Sequence, residues 1–228
     1  MHVEIWSDIA CPWCFVGKRR FEEALSRFAH RDEVTVTWRS FELEPAAPAA
    51  RDEDPATHLS QKYGVPRERA AQMQAQMTET AAGDGLAFRF DIQRQGNMLD
   101  GHRLVHLAAE HGKQDAMKER LFRAYMEEGR LVSDPDTLRE LAADVGLPAD
   151  EVVEMLASDR FEDEVRDDER TAAQLGISAV PFFVVDRHYG ASGAQPPEFL
   201  LGMLEQAWAE RSPLSVVAEG ESCGPDGC

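Results

Sequence analysis

The 228-residue chain has few cysteines and few cations. It contains four cysteines, and 24 Lys and Arg against 42 Asp and Glu, so its formal net charge is −18. A chain of this sign repels nucleic acid and anionic membranes, and neither is an expected partner. No hydrophobic run is long enough to span a bilayer. The chain does not open on a basic segment followed by an apolar one, so we expect no secretory signal and a cytoplasmic location.

The four cysteines form two close pairs. Cys11 and Cys14 are separated by two residues, and Cys223 and Cys228 by four. In a reducing compartment such pairs indicate redox or metal chemistry rather than a structural disulfide framework. A structural zinc site needs two further ligands at metal spacing, and the second pair lies roughly two hundred residues away. Redox chemistry is therefore favoured, and no metal site is expected.

The Cys11-Pro12-Trp13-Cys14 motif stands between a predicted strand and a predicted helix. Unpaired N–H groups and the positive end of the helix dipole at a first turn stabilise a thiolate, which is the nucleophile of disulfide exchange. A proline is tolerated there because its missing N–H would be unpaired anyway. The cations that follow, Lys18-Arg19-Arg20, are interpreted as a solvated helix face.

Hydrophobic periodicity predicts an element order along the chain. A strand over 2–7, a helix from Pro12 to about Phe28 and a strand over 34–43 imply a parallel pair of strands. A strand over 177–186, its hairpin partner near 188–191 and a helix over 197–210 follow a long helical region. Within that region helices are predicted over 56–63, 67–82, 100–111, 114–128, 135–145, 149–157 and 161–175.

This order, with CPWC at the first helix and Val180-Pro181 before the third strand, resembles the DsbA-like superfamily and most closely its cytoplasmic FrnE-like branch. The superfamily includes 2-hydroxychromene-2-carboxylate isomerases and kappa-class glutathione transferases. The likeness spans roughly residues 1–210. The residues that carry it are Ser7 to Lys18, Ala179 to Phe183, Gly190 to Gln195 and, less strictly, Asn97 to Leu104, where Gly101 replaces an expected Ala.

The resemblance implies an α/β protein with a thioredoxin fold (β-α-β … β-β-α) and a large all-helical insertion. We expect the N-terminal half of the thioredoxin fold over 1–45 and the helical insertion domain over 46–176. The C-terminal half is expected over 177–211, and a flexible tail that carries the C-x4-C pair over 212–228.

The resemblance also implies roles for the site residues. Cys11 is expected to be the exposed nucleophile and Cys14 the buried resolving thiol. Pro12 and Trp13 would tune the pair and contact substrate. Val180 and Pro181 would form a cis-proline loop that faces the cysteines, against the alternative of a plain proline at the start of a strand.

Three further residues are candidates with two interpretations each. Thioredoxins carry a buried acid six residues before the first cysteine, where this chain has Ile5. Asp8 either caps the helix, which we favour, or transfers a proton. Asn97 and His102 open a helix of the insertion that would cover the cleft. They either line a substrate pocket or serve only as helix cap and packing residue.

The leading functional prediction is a thiol–disulfide oxidoreductase that acts on thiols and disulfides of proteins or small molecules. It needs no cofactor beyond its redox-active disulfide, and glutathione or another low-molecular-weight thiol is the candidate co-substrate. The alternative is a glutathione-dependent isomerase of the 2-hydroxychromene-2-carboxylate type. Cys223 and Cys228 are interpreted as a second redox pair, against an incidental or weakly metal-binding tail. A monomer and a homodimer are both compatible with the sequence.

Overall fold

A four-stranded mixed sheet lies at the centre of the computed structural model, which describes residues 1–211. Its spatial order is β2-β1-β3-β4, where β1 is His2–Ser7, β2 Thr35–Ser40, β3 Phe182–Val185 and β4 Tyr189–Ser192. Strands β1 and β2 are parallel, and the pairs β1/β3 and β3/β4 are antiparallel. The predicted parallel pair is therefore confirmed. The interpreted second redox pair, Cys223 and Cys228, lies outside the described residues.

The helices of the described residues fall into three groups along the chain. Helix α1 (Pro12–Arg27) joins β1 to β2, and α9 (Pro197–Ala209) follows β4. Between β2 and β3 lie α2 (Pro55–Tyr63), α3 (Arg67–Gly83), α4 (Leu99–Glu110), α5 (Gln114–Met126), α6 (Pro135–Val145), α7 (Ala149–Leu156) and α8 (Glu162–Gln174). This is the predicted thioredoxin fold with a helical insertion. Within residues 1–211 no helix has the length and apolar character that a bilayer crossing requires.

Two strands are shorter than predicted. Strand β2 lies at the edge of the sheet and ends at Ser40, because its one neighbour, β1, ends at Ser7, which pairs with Ser40. The Ser40 N–H donates to Asp168 Oδ2 at 2.9 Å. The predicted third strand from Ile177 begins only at Phe182. The Ile177 N–H donates to the Ala172 carbonyl at 2.8 Å, and this hydrogen bond closes the end of α8.

Helix α1 has two apolar faces, and each packs on a different part of the fold. Phe21 stacks on Phe183 of β3 with ring centroids 5.6 Å apart. Phe15 points away from the sheet and stacks on Phe122 of α5 at 4.9 Å and on Phe88 at 5.9 Å. Each fully buried phenylalanine contributes roughly 1.5–3 kcal/mol. One continuous core therefore joins the sheet to the helical insertion through α1.

The opposite face of the sheet packs on α8. Trp6, Ala172, Ile177 and Val184 form a second apolar cluster there. The Trp6 indole N–H donates to the carbonyl of Asp168 at 2.9 Å, so the ring is buried without an unpaired donor.

The cations Lys18-Arg19-Arg20 do not form the solvated face predicted for them. Lys18 is only 2% exposed, and its Nζ is paired with Glu22 and, at 3.3 Å each, with Asp115 and Glu119. The prediction was wrong because Lys18 lies three residues from both Phe15 and Phe21, on the side of α1 that the insertion covers.

A glycine in α1 sets how closely the third strand approaches this helix. A Cβ atom at Gly17 would lie 2.9 Å from Pro181 Cγ and 3.4 Å from the Phe183 ring. Pro181 therefore packs directly on the backbone of α1, one turn after the two cysteines.

We predict that Gly17→Ala lowers the free energy of unfolding by roughly 1–2 kcal/mol. The overpacking cost exceeds the gain of about 1 kcal/mol that alanine brings to a helix interior. Gly202→Ala in α9 is the matched control because a Cβ there meets no atom of residues 1–211 within 4 Å, and it should stabilise the protein by about 0.5–1 kcal/mol. Urea unfolding of both variants measures the difference. A stabilised Gly17→Ala variant would contradict the proposed contact.

Candidate active site

The two cysteines of the CPWC motif occupy the first turn of α1. Cys11 is the N-cap residue and Pro12 the first helical residue, and no side chain caps this end of the helix. The Cys14 N–H donates to the Cys11 carbonyl at 3.0 Å. The Cys11 N–H donates to the Asp8 carbonyl at 3.2 Å and Pro12 has no N–H, so the Trp13 N–H and the helix dipole are what the first turn offers to a thiolate at Cys11.

The two thiols have unequal surroundings. Cys11 is 6% exposed and lies on the wall of a cavity, whereas Cys14 is fully buried. Burial, reinforced by a hydrogen bond with Cys11, raises the pKa of the Cys14 thiol well above its ordinary value. The prediction of an exposed Cys11 was wrong, because neighbouring residues cover all but 6% of its surface. Access to Cys11 is through the cavity.

The Val180–Pro181 segment faces the cysteines across a short gap. The peptide bond between these two residues is cis. The Cys11 thiol donates to the Val180 carbonyl oxygen at 3.6 Å. Pro181 packs on Gly17, as described above, so the same helix positions both the cysteines and the loop opposite them.

Asp8 lies buried beneath the motif and does not cap α1. Its Oδ1 accepts from the Ala10 N–H at 3.0 Å, and its Oδ2 accepts from the Leu43 N–H at 2.7 Å. The capping interpretation was wrong because the carboxylate points back into the protein, toward His102 Nε2 at 3.5 Å. Burial raises the pKa of Asp8, but the hydrogen bonds from His102, Leu43 and Ala10 outweigh this and hold it below its ordinary value.

His102 and Asn97 do not belong to the cavity wall. His102 is fully buried in α4 beside Asp8, and burial lowers the pKa of its ring, which favours the neutral form. The Asn97 side chain accepts from the Leu99 N–H at 2.8 Å and donates to the carbonyls of Pro45 and Ala47 at 3.2 and 3.3 Å. Asn97 therefore ties the start of α4 to the loop after β2.

Gly101 of α4 replaces the alanine expected from the resemblance for a local reason. A Cβ atom at this position would lie 2.7 Å from Ile9 Cδ1 and 2.9 Å from Val132 Cγ1. The side chain of Ile9, in the loop that leads to the cysteines, fills the space of the missing methyl group.

Lys118 of α5 is only 1% exposed and was not among the residues predicted for the site. Its Nζ donates to the Ser7 carbonyl at 3.3 Å and lies 5.1 Å from the Phe122 ring centroid. Burial lowers the pKa of Lys118 to about 8, and the charge of Cys14 is the largest of the effects that oppose this shift. A signal for it was present, since Lys118 has helical spacing to the buried residues Leu121, Phe122 and Tyr125.

A cavity of about 670 Å³ opens beside Cys11. Its lining includes Pro12 and Trp13 of the CPWC motif and residues of α2 and α3. Trp13, Leu43 and Tyr63 line it with rings or alkyl groups that are 41–59% exposed. A large apolar surface that meets solvent next to the Cys11 thiol is suited to hold a substrate.

A cluster of charges around Glu44 also lines the cavity. This carboxylate accepts from Arg51 at 2.7 Å, from His58 at 3.1 Å and from Lys62 at 2.5 Å. These contacts attach the loop after β2 to α2 and give the cavity polar groups of both signs.

The fold and this site agree with the comparison against known families. Residues 2–205 match the model of the DSBA-like thioredoxin domain. The chain therefore belongs to the DsbA-like thioredoxin family, and at the level of that family it is an oxidoreductase.

Individual relatives support the same assignment. A probable DsbA oxidoreductase from Streptomyces coelicolor is 50% identical, with a TM-score of 0.94 over 100% of this chain and 98% of its own. The uncharacterised protein YwbO of Bacillus subtilis is 29% identical over 187 residues, which are 81% of this chain and 86% of that protein. The cytosolic disulfide reductase DsbM of Pseudomonas aeruginosa, determined with GSH, shares the fold at 19% identity and a TM-score of 0.61, over 92% of this chain and 100% of its own.

We predict that Lys118→Met raises the free energy of unfolding of the reduced protein by roughly 1–3 kcal/mol at pH 7. The pKa of Lys118 is about 8 in the folded protein and ordinarily 10.5. Below pH 8 both states carry the proton and the folded state bears its desolvation cost. Between pH 8 and 10.5 only the unfolded chain keeps the proton, so the wild type gains stability as pH rises. The advantage of the variant should therefore shrink over this interval.

Urea unfolding between pH 7 and 10.5 measures this difference, with Lys18→Met as the matched control. Lys18 is equally buried but has three carboxylate partners, so its loss should destabilise the protein at pH 7. A Lys118→Met variant that is less stable than the wild type by the same amount at every pH would contradict the assignment.

Proposed function

We propose that the chain is a thiol–disulfide oxidoreductase with Cys11 as the nucleophile and Cys14 as the resolving thiol. The observation that best supports this proposal is the difference in burial and in surroundings between the two sulfur atoms. Cys11 meets the cavity at the N-terminus of α1, and Cys14 lies behind it, fully buried, with a raised pKa. One thiol can reach a substrate while the other is held back for the second step.

The reaction is a pair of exchanges. The Cys11 thiolate attacks a substrate disulfide, an S–S bond forms between Cys11 and one substrate sulfur, and the other substrate sulfur leaves with the electron pair. Cys14 then attacks Cys11 Sγ and releases the remaining substrate sulfur as a thiol. The cysteine pair is oxidised by two electrons and the substrate disulfide is reduced by two. The reverse sequence transfers a disulfide to substrate thiols.

The loop opposite the cysteines has a supporting role in this proposal. The Val180 carbonyl lies 3.6 Å from Cys11 Sγ, so a substrate bonded to Cys11 would run beside the backbone of Val180 and Pro181. Pro12 and Trp13 would contact that substrate from the other side, where Trp13 is 45% exposed.

Two classes of thiol partner fit the cavity. The exposed apolar side chains Trp13, Leu43 and Tyr63 suit a peptide segment. The charged cluster around Glu44 suits the amino and carboxylate groups of a small thiol such as glutathione. DsbM, a distant relative in fold, was determined with GSH and is described as a cytosolic disulfide reductase. We extend both points to this chain as a proposal, which places the protein in the cytoplasm with a low-molecular-weight thiol as co-substrate.

The isomerase alternative gains no specific support from the site. A glutathione-dependent isomerase activates an external thiol and needs no second cysteine, yet this chain retains Cys14 directly behind Cys11. The division of the chain at residues 45, 176 and 211 and the redox role of Cys223 and Cys228 stay predictions.

Insulin reduction driven by dithiothreitol tests the proposal. In Cys11→Ser the catalysed rate of insulin reduction should fall by on the order of 100-fold or more, because the nucleophile is gone. Cys14→Ser should still attack but stall, so that an adduct on Cys11 accumulates and appears in the intact mass.

The same assay needs one set of controls. Each variant is measured with and without Cys223→Ser/Cys228→Ser, which separates any contribution of the tail thiols. A Cys11→Ser protein as fast as the wild type would refute the proposed function. A Cys14→Ser protein that isomerises 2-hydroxychromene-2-carboxylate in the presence of glutathione as fast as the wild type would favour the isomerase.

A further inference from the structure

Tyr125 is a buried tyrosine on the wall of the cavity that contains Cys11. It lies in the last turn of α5 and is 3% exposed. The same helix packs Phe122 on Phe15 of α1 at 4.9 Å, so its position relative to the first turn of α1 is fixed. Burial raises the pKa of Tyr125, and the hydroxyl therefore keeps its proton at neutral pH and is a hydrogen-bond donor.

Gln95 lies on the same wall, in a segment that runs along the end of α5. The Arg89 N–H donates to the Met126 carbonyl at 2.8 Å, and Gln93 Nε2 donates to Met126 Sδ at 3.4 Å. These contacts hold the segment against the last turn of α5. The Gln95 side chain faces the Tyr125 hydroxyl there and lowers its pKa, as an amide N–H directed at the phenol oxygen does.

The two side chains leave one acceptor and one donor unmatched. Gln95 Oε1 is buried and has no hydrogen-bond partner within residues 1–211. The Tyr125 hydroxyl therefore does not donate to it. A buried polar group without a partner costs free energy, and a ligand that supplies the partner recovers this cost. Gln95 and Tyr125 thus give the cavity wall an amide oxygen and a hydroxyl donor for a bound molecule.

Two carboxylates that line the same cavity give the contrast. Asp8 accepts from two backbone N–H groups and faces His102. Glu44 accepts from Arg51, His58 and Lys62. Both carboxylates are occupied by the protein itself, whereas the Gln95 oxygen is not. The unmatched groups of this wall are neutral, so the ligand they fit is a neutral one that both donates and accepts.

We propose that Tyr125 and Gln95 select substrates with a peptide backbone: the Tyr125 hydroxyl donates to the carbonyl, and Gln95 Oε1 accepts from the N–H, of one extended substrate residue. In an extended chain the N–H and C=O of one residue leave the same side of the backbone, as strand pairing shows. The inference rests on the proposed function and names the substrate class of its cavity. Tyr125 and Gln95 are binding residues that hold the substrate beside Cys11 and take no part in the exchange of sulfur bonds.

Oxidation of the reduced protein by two neutral disulfides tests the assignment. The full-length chain carries Cys223→Ser/Cys228→Ser, so that only Cys11 and Cys14 are oxidised. One disulfide joins two copies of the peptide acetyl-Ala-Cys-Ala-methylamide, and the other, bis(2-hydroxyethyl) disulfide, has no amide. Neither is charged, so the charges around Glu44 do not distinguish them. Acid quenching, alkylation and mass spectrometry give a second-order rate constant for each, and their ratio is the preference for the peptide.

Tyr125→Phe and Gln95→Met each remove one polar group with little change of shape. Each should lower the preference for the peptide by roughly three- to tenfold, the loss expected for one hydrogen bond between neutral groups. The rate with bis(2-hydroxyethyl) disulfide should stay close to that of the wild type. Tyr63→Phe is the matched control, because Tyr63 lines the same cavity from α2 but is 59% exposed. Its preference should equal that of the wild type.

The possible outcomes separate the inference from the proposed function. A preference that is unchanged in both Tyr125→Phe and Gln95→Met overturns the inference and leaves the proposed function standing. Equal slowing with the two disulfides also overturns it, because these residues would then only stabilise the fold. A wild-type protein that neither disulfide oxidises would instead overturn the proposed function, and the inference with it.

Discussion

The packing of α1 between two apolar surfaces is the contact on which the site depends. Phe21 attaches the helix to β3, and Phe15 attaches it to Phe122 of the insertion. Because both faces are buried, the first turn cannot rotate, and Cys11 points to the cavity while Cys14 points to the core. The absence of a side chain at Gly17 then lets Pro181 approach the same helix. One helix thereby fixes both cysteines and the loop opposite them.

A buried polar layer lies beneath the cysteines and joins the two parts of the fold. Asp8 and Ser7 come from the end of β1, whereas His102 and Lys118 come from α4 and α5 of the insertion. The insertion therefore does more than cover the cavity, since it supplies two buried side chains, His102 and Lys118, to the layer beneath the cysteines. Charges in a low-dielectric interior interact strongly, so we expect substitutions in this layer to change the pKa of the buried Cys14 thiol.

The sequence predicted the parts of the molecule that local patterns encode. The CPWC motif, the Val180-Pro181 pair and nearly all helix positions follow from spacing and turn residues, and the fold class agrees. The roles of Lys118, Asp8 and Lys18 depend on contacts between distant elements. Lys118 stands in a strongly charged helix, and its burial depends on which face of α5 meets α1. The end of β2 was misplaced because it is set by its pairing with β1, whose last residue, Ser7, pairs with Ser40.

The central claim is that the fold makes the two thiols unequal, with Cys11 reachable and Cys14 withheld. The most direct test treats the reduced protein, carrying Cys223→Ser/Cys228→Ser, with limiting iodoacetamide at pH 7 and locates the label by mass spectrometry. The account predicts that Cys11 is labelled nearly to completion before Cys14 reacts. Equal labelling of the two cysteines, or faster labelling of Cys14, would contradict it.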